Sequence, residues 1–307
     1  MNTITLEQWR LFLQIAERGS LTDTAMARDV AQSAISRQLA AFEAQCGGKL
    51  FDRHAQGVRL NEVGQRLYPQ VKDWVRRSEE LIADARGALR VPSGTVRVGI
   101  IESLASDLTS ALHQTVRQQY PGINLRLTCG LSGRLNEALQ AGTIDVALYS
   151  DNGRERQAQG LGLGTMPHLL VAAPGDALTK GPTIAFDALD GLPLVVPGRP
   201  YAFHDVLEHW AQRRGIRLNI VLECDALELQ KQLVSEGGLY AIMAASALRQ
   251  DLKTGRLQAS RLIRPALNRR LVLRMPQGKV ASEATKTVTE LLRQMVTERL
   301  PALVSGI

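Results

Sequence analysis

Ser33, Ser36 and Arg37 lie within five residues of one another, directly after Gln32, on a segment whose other side is apolar. An Arg guanidinium can fork onto a guanine edge, and a Ser hydroxyl can donate or accept, so these residue types suit base reading in a DNA major groove. Lys49, Arg53, His54 and Arg59 follow around a turn at Gln56-Gly57. Bases spaced this way on a short hairpin suit phosphate contacts, which hold a reading helix in register. The chemistry implied is sequence-specific recognition of double-stranded DNA.

Such residues need a helix to present them. Ile35, Leu39, Phe42 and Cys46 recur at spacings of 4, 3 and 4, which at 100° per residue places them on one stripe facing a core. Ser33 and Arg37 then point nearly opposite, with Ser36 on the flank. Upstream, Thr5 and Gln8 have capping-box spacing ahead of an apolar-rich run from Trp9 to Ala16 that stops at Gly19. Ser20 can cap a second helix through about Val30, and Gly47-Gly48 ends the third. Two short helices around a tight turn, followed by a basic wing, are the layout of a winged helix-turn-helix.

At these residues the chain resembles the LysR-type transcriptional regulators. The matching pieces are Gly19-Ser20, Gln32 to Gln38, Leu50-Phe51-Asp52-Arg53, Gly57-Val58-Arg59-Leu60 and Gly64. The resemblance implies that Gln32, Ser33, Ser36, Arg37, Arg53 and Arg59 contact DNA. Three departures stand out. Ala31 sits where the family usually has a capping Ser, Ser33 replaces a frequent Pro, and Arg28 replaces a core Leu. The stem of Arg28 is expected to cover the core while its head reaches water.

The net charge of +7 adds little to this reading. Residues 1–59 carry seven Lys or Arg against six Asp or Glu, whereas Lys253, Arg256, Arg261, Arg264, Arg269, Arg270, Arg274 and Lys279 lie in a stretch without an acid. DNA binding therefore rests on the motif; the late charges are expected on solvated faces and in ion pairs. At 45 % hydrophobic and 22 % charged residues, 307 residues can build two or three folding units. The apolar runs are too short to span a membrane, and Met1 to Trp9 lacks a signal peptide's cationic start and apolar core. Cys46, Cys129 and Cys224 are scattered without paired spacing, which suits a reducing cytoplasm and gives neither a zinc site nor a disulfide framework.

Asn61 to Arg90 reads as one long helix capped by Asn61, with Pro69 expected to kink it. Leu67, Val71, Trp74, Ser78, Leu81 and Ala85 alternate at 4 and 3, a coiled-coil seam that calls for a second copy of the chain. Leu67, Val71, Trp74 and Leu81 are its dimerisation candidates; packing of the stripe on the chain's own body is the alternative. Val91-Pro92-Ser93-Gly94 breaks the pattern, and strand-like runs then alternate with helical ones to the final helix over 282–300. That alternation indicates an α/β fold with parallel sheets covered on both faces. The series resembles the LysR effector domain, built like a periplasmic binding protein. By that resemblance the domains are a winged helix-turn-helix at 1–60, a dimerising linker helix at 61–90 and an effector domain at 91–307. Its subdomain I spans about 94–165 plus 266–307, and its subdomain II about 166–265.

Ligands in such sheets sit at strand carboxyl ends, beside helix N-termini. Glu102 and Ser103 follow one strand, Ser132 another, and Arg199 and Tyr201 follow the Leu-Pro-Leu-Val-Val-Pro-Gly stretch, itself similar to nitrogen- and sulfur-assimilation regulators. An effector is expected between Ser103, Ser132, Arg199 and Tyr201. Helix N-termini and Arg199 favour a small carboxylate, whereas Glu102 opposes one unless it pairs with Arg199 in the empty site.

Enzyme chemistry finds little support. His204 and His209, five apart, cannot share a metal as a pair spaced by four would, and Gly160, Gly162 and Gly164 lack dinucleotide-loop spacing and fit an extended connection. No nucleophile elbow, phosphate-binding loop or cofactor motif appears. Cys129 reads as a packing residue, with a redox switch as the lesser alternative. A solute-binding or catalytic α/β protein with an added helical dimeriser would need a signal peptide or a catalytic constellation. The expected protein is a cytoplasmic, non-enzymatic regulator that binds an interrupted palindrome as a dimer, assembled further into a tetramer. A cleft-bound small molecule would change its shape, and RNA polymerase would be its partner if it activates.

Overall fold

The computed structural model describes residues 4–54, 57–87, 92–151, 160–198, 202–278 and 280–304. Two compact units divide the chain, Met1–Ala88 and Leu89–Ile307.

In the first unit, α1 (Leu6–Arg18) starts with the reciprocal cap expected of Thr5 and Gln8 and ends at Gly19, which is left-handed at φ 64°. Helix α2 (Leu21–Ala27) is capped by the Ser20 hydroxyl, which accepts from the Asp23 N–H. It stops short of the expected Val30, because Asp29 adopts φ 53° and turns the chain into α3 (Gln32–Gln45). Asp is one of the few side-chain-bearing residues that tolerates this region. Ala31 gives α3 no side-chain cap. Leu11, Phe12, Ile15, Leu21, Ala25, Ile35, Leu39 and Phe42 form one core with Leu50, Phe51 and Val58 of the wing. Trp9 stands edge-on to Phe42 at 4.9 Å between centroids, the favoured geometry for ring quadrupoles. Arg28 does not simply reach water: its guanidinium bonds the side chains of Gln14 and Glu7, tying α2 to α1.

The wing is an antiparallel hairpin of β1 (Phe51–His54) and β2 (Gly57–Leu60), with Arg53 paired to Val58 and Asp52 to Arg59. Two glycines allow it to dock. A Cβ on Gly57, at φ 137°, would meet the Gly19 carbonyl oxygen at 2.3 Å, and one on Gly64 would meet the Leu50 oxygen at the same distance. The Val58 N–H donates to that Gly19 oxygen at 2.9 Å. Helix α4 (Glu62–Gly87) starts where Asn61 accepts from the Gly64 N–H and runs on through Pro69.

The second unit is one mixed sheet divided into two lobes. In the first lobe, β3 (Gly94–Ile101) lies between parallel β4 (Ile123–Gly130) and β5 (Val146–Asp151). Strand β12 (Asn268–Arg274) pairs antiparallel with β5 and with the first half of β6 (Leu161–Ala172). In the second lobe, the rest of β6 pairs antiparallel with β10 (Tyr240–Ala244) and β11 (Gln258–Ile263). Beyond β10 come β8 (Pro193–Val196) and β9 (Asn219–Glu223), both parallel, while β7 (Thr183–Ala185) joins β11. The expected parallel pairing is present within each lobe, at β4–β3–β5 and at β10–β8–β9, and antiparallel strands join the lobes. The chain changes lobe by continuing a strand rather than by a crossover helix, and β6 and β12 therefore run against their neighbours.

Helices α5 (Glu102–Gln119), α6 (Ser132–Gln140) and α10 (Glu283–Val304) cover the first lobe. Helices α7 (Ala202–Arg214), α8 (Leu227–Ser235) and α9 (Ala245–Thr254) cover the second. Val96, Val98 and Ile100 of β3 pack on Leu104, Leu108 and Leu112, four apart on α5. The second lobe has a core on each sheet face, one around Phe186, Leu194 and Phe203 and one around Val195, Val234 and Leu248.

Candidate DNA-reading face and ligand cleft

Helix α3 buries Ile35, Leu39 and Phe42 and leaves Gln32, Ser33 and Arg37 exposed, with Ser36 half-buried. The uncapped start of α3 leaves its first-turn amides beside Gln32 and Ser33, where an anion is favoured. An Arg53 guanidinium nitrogen donates to the Ser36 hydroxyl at 3.1 Å, so Ser36 fixes a wing base against α3. Arg59, opposite Asp52 in the hairpin, is exposed.

Glu43, which the sequence reading passed over, sets the wing's place relative to α3. It is 4 % exposed. One carboxylate oxygen accepts from the Leu50 and Phe51 N–H groups at 2.9 and 3.3 Å, and the other from Lys49 Nζ at 2.7 Å. An acid inside an otherwise apolar helix stripe, eight residues ahead of a strand, is the signal that could have found it.

On α4 the four dimerisation candidates separate. Leu67 and Val71, the latter 6 % exposed, pack into the core of their own unit together with Val75. That packing favours the alternative, in which this part of the stripe lies on the chain's own body, because the first half of α4 closes over α1. Trp74 and Leu81, 47 % and 63 % exposed, remain open, and Ile82 adds to their stripe.

In the second unit a cavity of about 60 Å³ opens between the lobes. The first lobe contributes Glu102, Ser103, Leu131 and Ser150; the second contributes Phe203, Asp225, Gln230 and Met243, and His168 of β6 lies between. Of the five effector candidates, Glu102 and Ser103 line it. Ser132 does not. It is buried behind the wall, where its hydroxyl meets that of Ser150 at 3.3 Å. Arg199 and Tyr201 lie outside the described residues.

Several contacts bridge the lobes around the cavity. The Glu102 carboxylate accepts from the Leu227 N–H at the start of α8, a helix with no side-chain cap of its own. Burial raises the Glu102 pKa, the Leu227 N–H opposes that, and the like charges of Glu228 and Asp225 add to it. Arg134 of α6 donates to Asp225 at 3.1 Å, and the other oxygen of Asp225 accepts from the Gly198 N–H at 2.9 Å. His168 is 5 % exposed, and its ring stacks on Phe203 at 4.6 Å. Burial, helped by the nearby Arg269 guanidinium, pushes its pKa down to about 3, so the imidazole is neutral. Arg269 sits 5.6 Å from the Phe203 centroid and donates to the Ser150 carbonyl at 2.8 Å, linking this wall back to the first lobe.

Among the described residues no group of His, Cys, Asp and Glu could hold a metal ion, and no helix is long and apolar enough to cross a membrane. His204 is buried; Cys129 is exposed at the end of β4, and partial desolvation and the Glu102 charge raise its thiol pKa.

Residues 6–65 match the family described as "Bacterial regulatory helix-turn-helix protein, lysR family", and residues 90–297 match "LysR substrate binding domain". The chain is 26 % identical over 298 residues to a "Probable nitrogen assimilation transcriptional activator" of Synechococcus elongatus, covering 96 % of each. It is 24 % identical over 289 residues to "Nitrogen assimilation regulatory protein nac" of Escherichia coli, covering 94 % of each. The fold is shared with full-length CbnR, a structure described as complexed with its target DNA. The two have a TM-score of 0.69 and 19 % identity, over 95 % of this chain and 100 % of that one.

Proposed function

As a member of the LysR family, the chain is a DNA-binding transcriptional regulator, and we propose that it reads its site through the outward face of α3 and answers to a small molecule held between the lobes of its second unit. The observation that carries this is the exposed set Gln32, Ser33 and Arg37 on a helix whose opposite side is core, with Arg53 pinned beside it by Ser36. Arg37 supplies the base contact, and Arg53 and Arg59 supply phosphate contacts.

The domains in this reading are 1–60, 61–90 and 91–307, with subdomain I at about 94–165 plus 266–307 and subdomain II between. Pairing runs through Trp74 and Leu81, whose exposed apolar area has no place in the protomer. Edge strands β4 and β9, with Leu127, Val221 and Leu222 exposed, support a further self-contact that makes a tetramer. The CbnR structure with target DNA supports duplex DNA as the partner. Two paired reading helices match an interrupted palindrome. The protein works in the cytoplasm, has no enzymatic activity, and contacts RNA polymerase where it activates. The effector carries a carboxylate, for which the uncapped helix starts at the cleft are suited.

Selection from a random duplex pool tests the DNA reading. An interrupted palindrome should be enriched by the native chain and lost with Arg37→Ala. Enrichment that is indifferent to Arg37 would overturn the assigned face. Leu81→Asp should reduce the sedimenting mass and weaken full-palindrome binding far more than half-site binding; unchanged mass would overturn the pairing.

A further inference from the structure

We infer that the molecule held between the lobes is a small zwitterion, an α-amino acid with a short side chain, whose ammonium sits by Glu102 and His168 and whose carboxylate faces the start of α9. This rests on the reading of the cleft as an effector site and narrows it.

Both charged side chains among the described residues of the lining, Glu102 and Asp225, are acids. Gln230 turns its amide nitrogen to the Cys224 carbonyl, which leaves its oxygen as an acceptor. Of the nearby bases, Lys231 pairs with Glu228 and Asp251, Arg269 lies on the Ser150 carbonyl behind Phe203, and Arg134 is taken up by Asp225. Asp225 is exposed and paired with Arg134, so the repulsion a simple carboxylate would meet comes from the half-buried Glu102.

His168 makes the demand for a donor specific. It lines the cavity, it is 95 % removed from solvent, and its Nδ1 has no hydrogen-bond partner. A buried polar atom left unpaired costs about 1–3 kcal/mol, and a ligand N–H at this place would remove that cost. A neutral imidazole accepts from an ammonium that also faces the Glu102 carboxylate.

Next to these acceptors the wall has the opposite character, because Ala244 of β10 is the direct strand partner of His168. Helix α9 is ten residues long and starts at Ala244 with no side-chain cap, and Ala244 and Ala247 both line the cavity. Ser246, in the same first turn, is buried with an unpartnered hydroxyl. Free amides at a helix start favour a carboxylate. Acceptors and donors on adjacent strands call for both charges on one small molecule, as an α-amino acid carries them on neighbouring atoms. The volume of about 60 Å³ limits its size, since each water-sized group takes about 10–15 Å³ of such space.

The test compares three near-isosteres on the full chain, namely L-alanine, L-lactate without the ammonium and L-alaninamide without the carboxylate. L-Alanine should raise the melting temperature by a few degrees at saturation, and the other two should leave it unchanged. Glu102→Gln should weaken L-alanine at least tenfold and leave L-lactate less disfavoured than in the native chain. A shift with L-lactate alone or with L-alaninamide alone overturns the zwitterion while leaving a ligand site in the cleft. No shift with any of the three overturns this inference. If, in addition, a broad metabolite panel changes neither melting nor DNA affinity, the effector reading beneath it falls as well. The melting temperature without ligand reports whether Glu102→Gln folds, and the three-compound comparison on the native chain decides without it.

Discussion

The outward face of α3 and the wall of the cleft are both polar, and they are built in opposite ways. On α3 the polar groups come from one six-residue stretch, point into water and are mostly cationic or amphoteric. In the cleft they come from several elements of two lobes, and Ser150, His168 and Gln230 among them are buried. An exposed polar residue adds little to stability and is free to bind a large partner. A buried polar residue either has a partner or costs stability until one arrives. Substitutions should therefore separate binding from folding on α3 and couple the two in the cleft.

The largest expected effect comes from Glu43, the buried acid beneath the open face. Glu43→Ala leaves the Leu50 and Phe51 N–H groups without their acceptor and should destabilise the first unit by about 3 kcal/mol in urea unfolding, with DNA binding lost alongside. A loss below about 1 kcal/mol would show that water replaces the carboxylate, and that the wing needs no such anchor.

Next is the pH response of the cleft. His168 is neutral in the folded chain down to about pH 3, whereas the unfolded imidazole takes a proton near its ordinary 6.5. Its contribution is therefore complete above pH 6.5 and is lost as pH falls toward 3. At pH 5 it should be down by about 2 kcal/mol. His168→Gln, which cannot titrate, should show a smaller drop in stability between pH 7.5 and 5 than the native chain. Identical drops would place His168 in a solvated setting and end the contrast with α3.

Arg37→Ala should cost about 1–2 kcal/mol of discrimination between the selected site and random DNA, measured by fluorescence anisotropy, with the melting temperature unchanged. Arg53→Ala should have the smallest effect. Binding to specific and random DNA should weaken alike, and the salt dependence should become shallower by about one counterion. A change in sequence preference with Arg53→Ala would mean that its bond to Ser36 orders the reading helix itself.

The same contrast governs what could be read from the sequence. The α3 stripe, the Thr5 box and the Gly19 stop are local patterns, and each is present where the spacing put it. Gly57 and Gly64 were legible as motif residues, but their reason, the close approach of the Gly19 and Leu50 carbonyls, is tertiary. Helix α9 leaves little trace in the sequence, because Ala244 gives no capping signal and the apolar run of β10 continues into it. The first part of β6 looks like an extended connection over Gly160, Gly162 and Gly164, although glycine alternating with leucine also fits a strand. In the cleft, Glu102 and Ser103 were legible as residues following a strand. Ser150, His168, Phe203, Asp225 and Gln230 become neighbours only through the fold, and Ser132 sits one layer too deep. On α4 the heptad pattern is blind to which copy covers it, so Leu67 and Val71 looked like Trp74 and Leu81.

Strand β6 is hydrogen-bonded in the first lobe through Pro167 and in the second from His168 onward. At that changeover the His168 N–H donates to the Leu267 oxygen at 2.8 Å, fastening the two lobe-crossing stretches to each other. Two crossings pinned side by side resist sliding and splaying, but neighbouring strands tolerate rotation, as the twist of every sheet attests. The lobes are thus joined by a torsion bar. His168 is both the pin of that bar and part of the cavity wall. A molecule lodging against its ring would be felt as a change of pitch, carried outward as rotation.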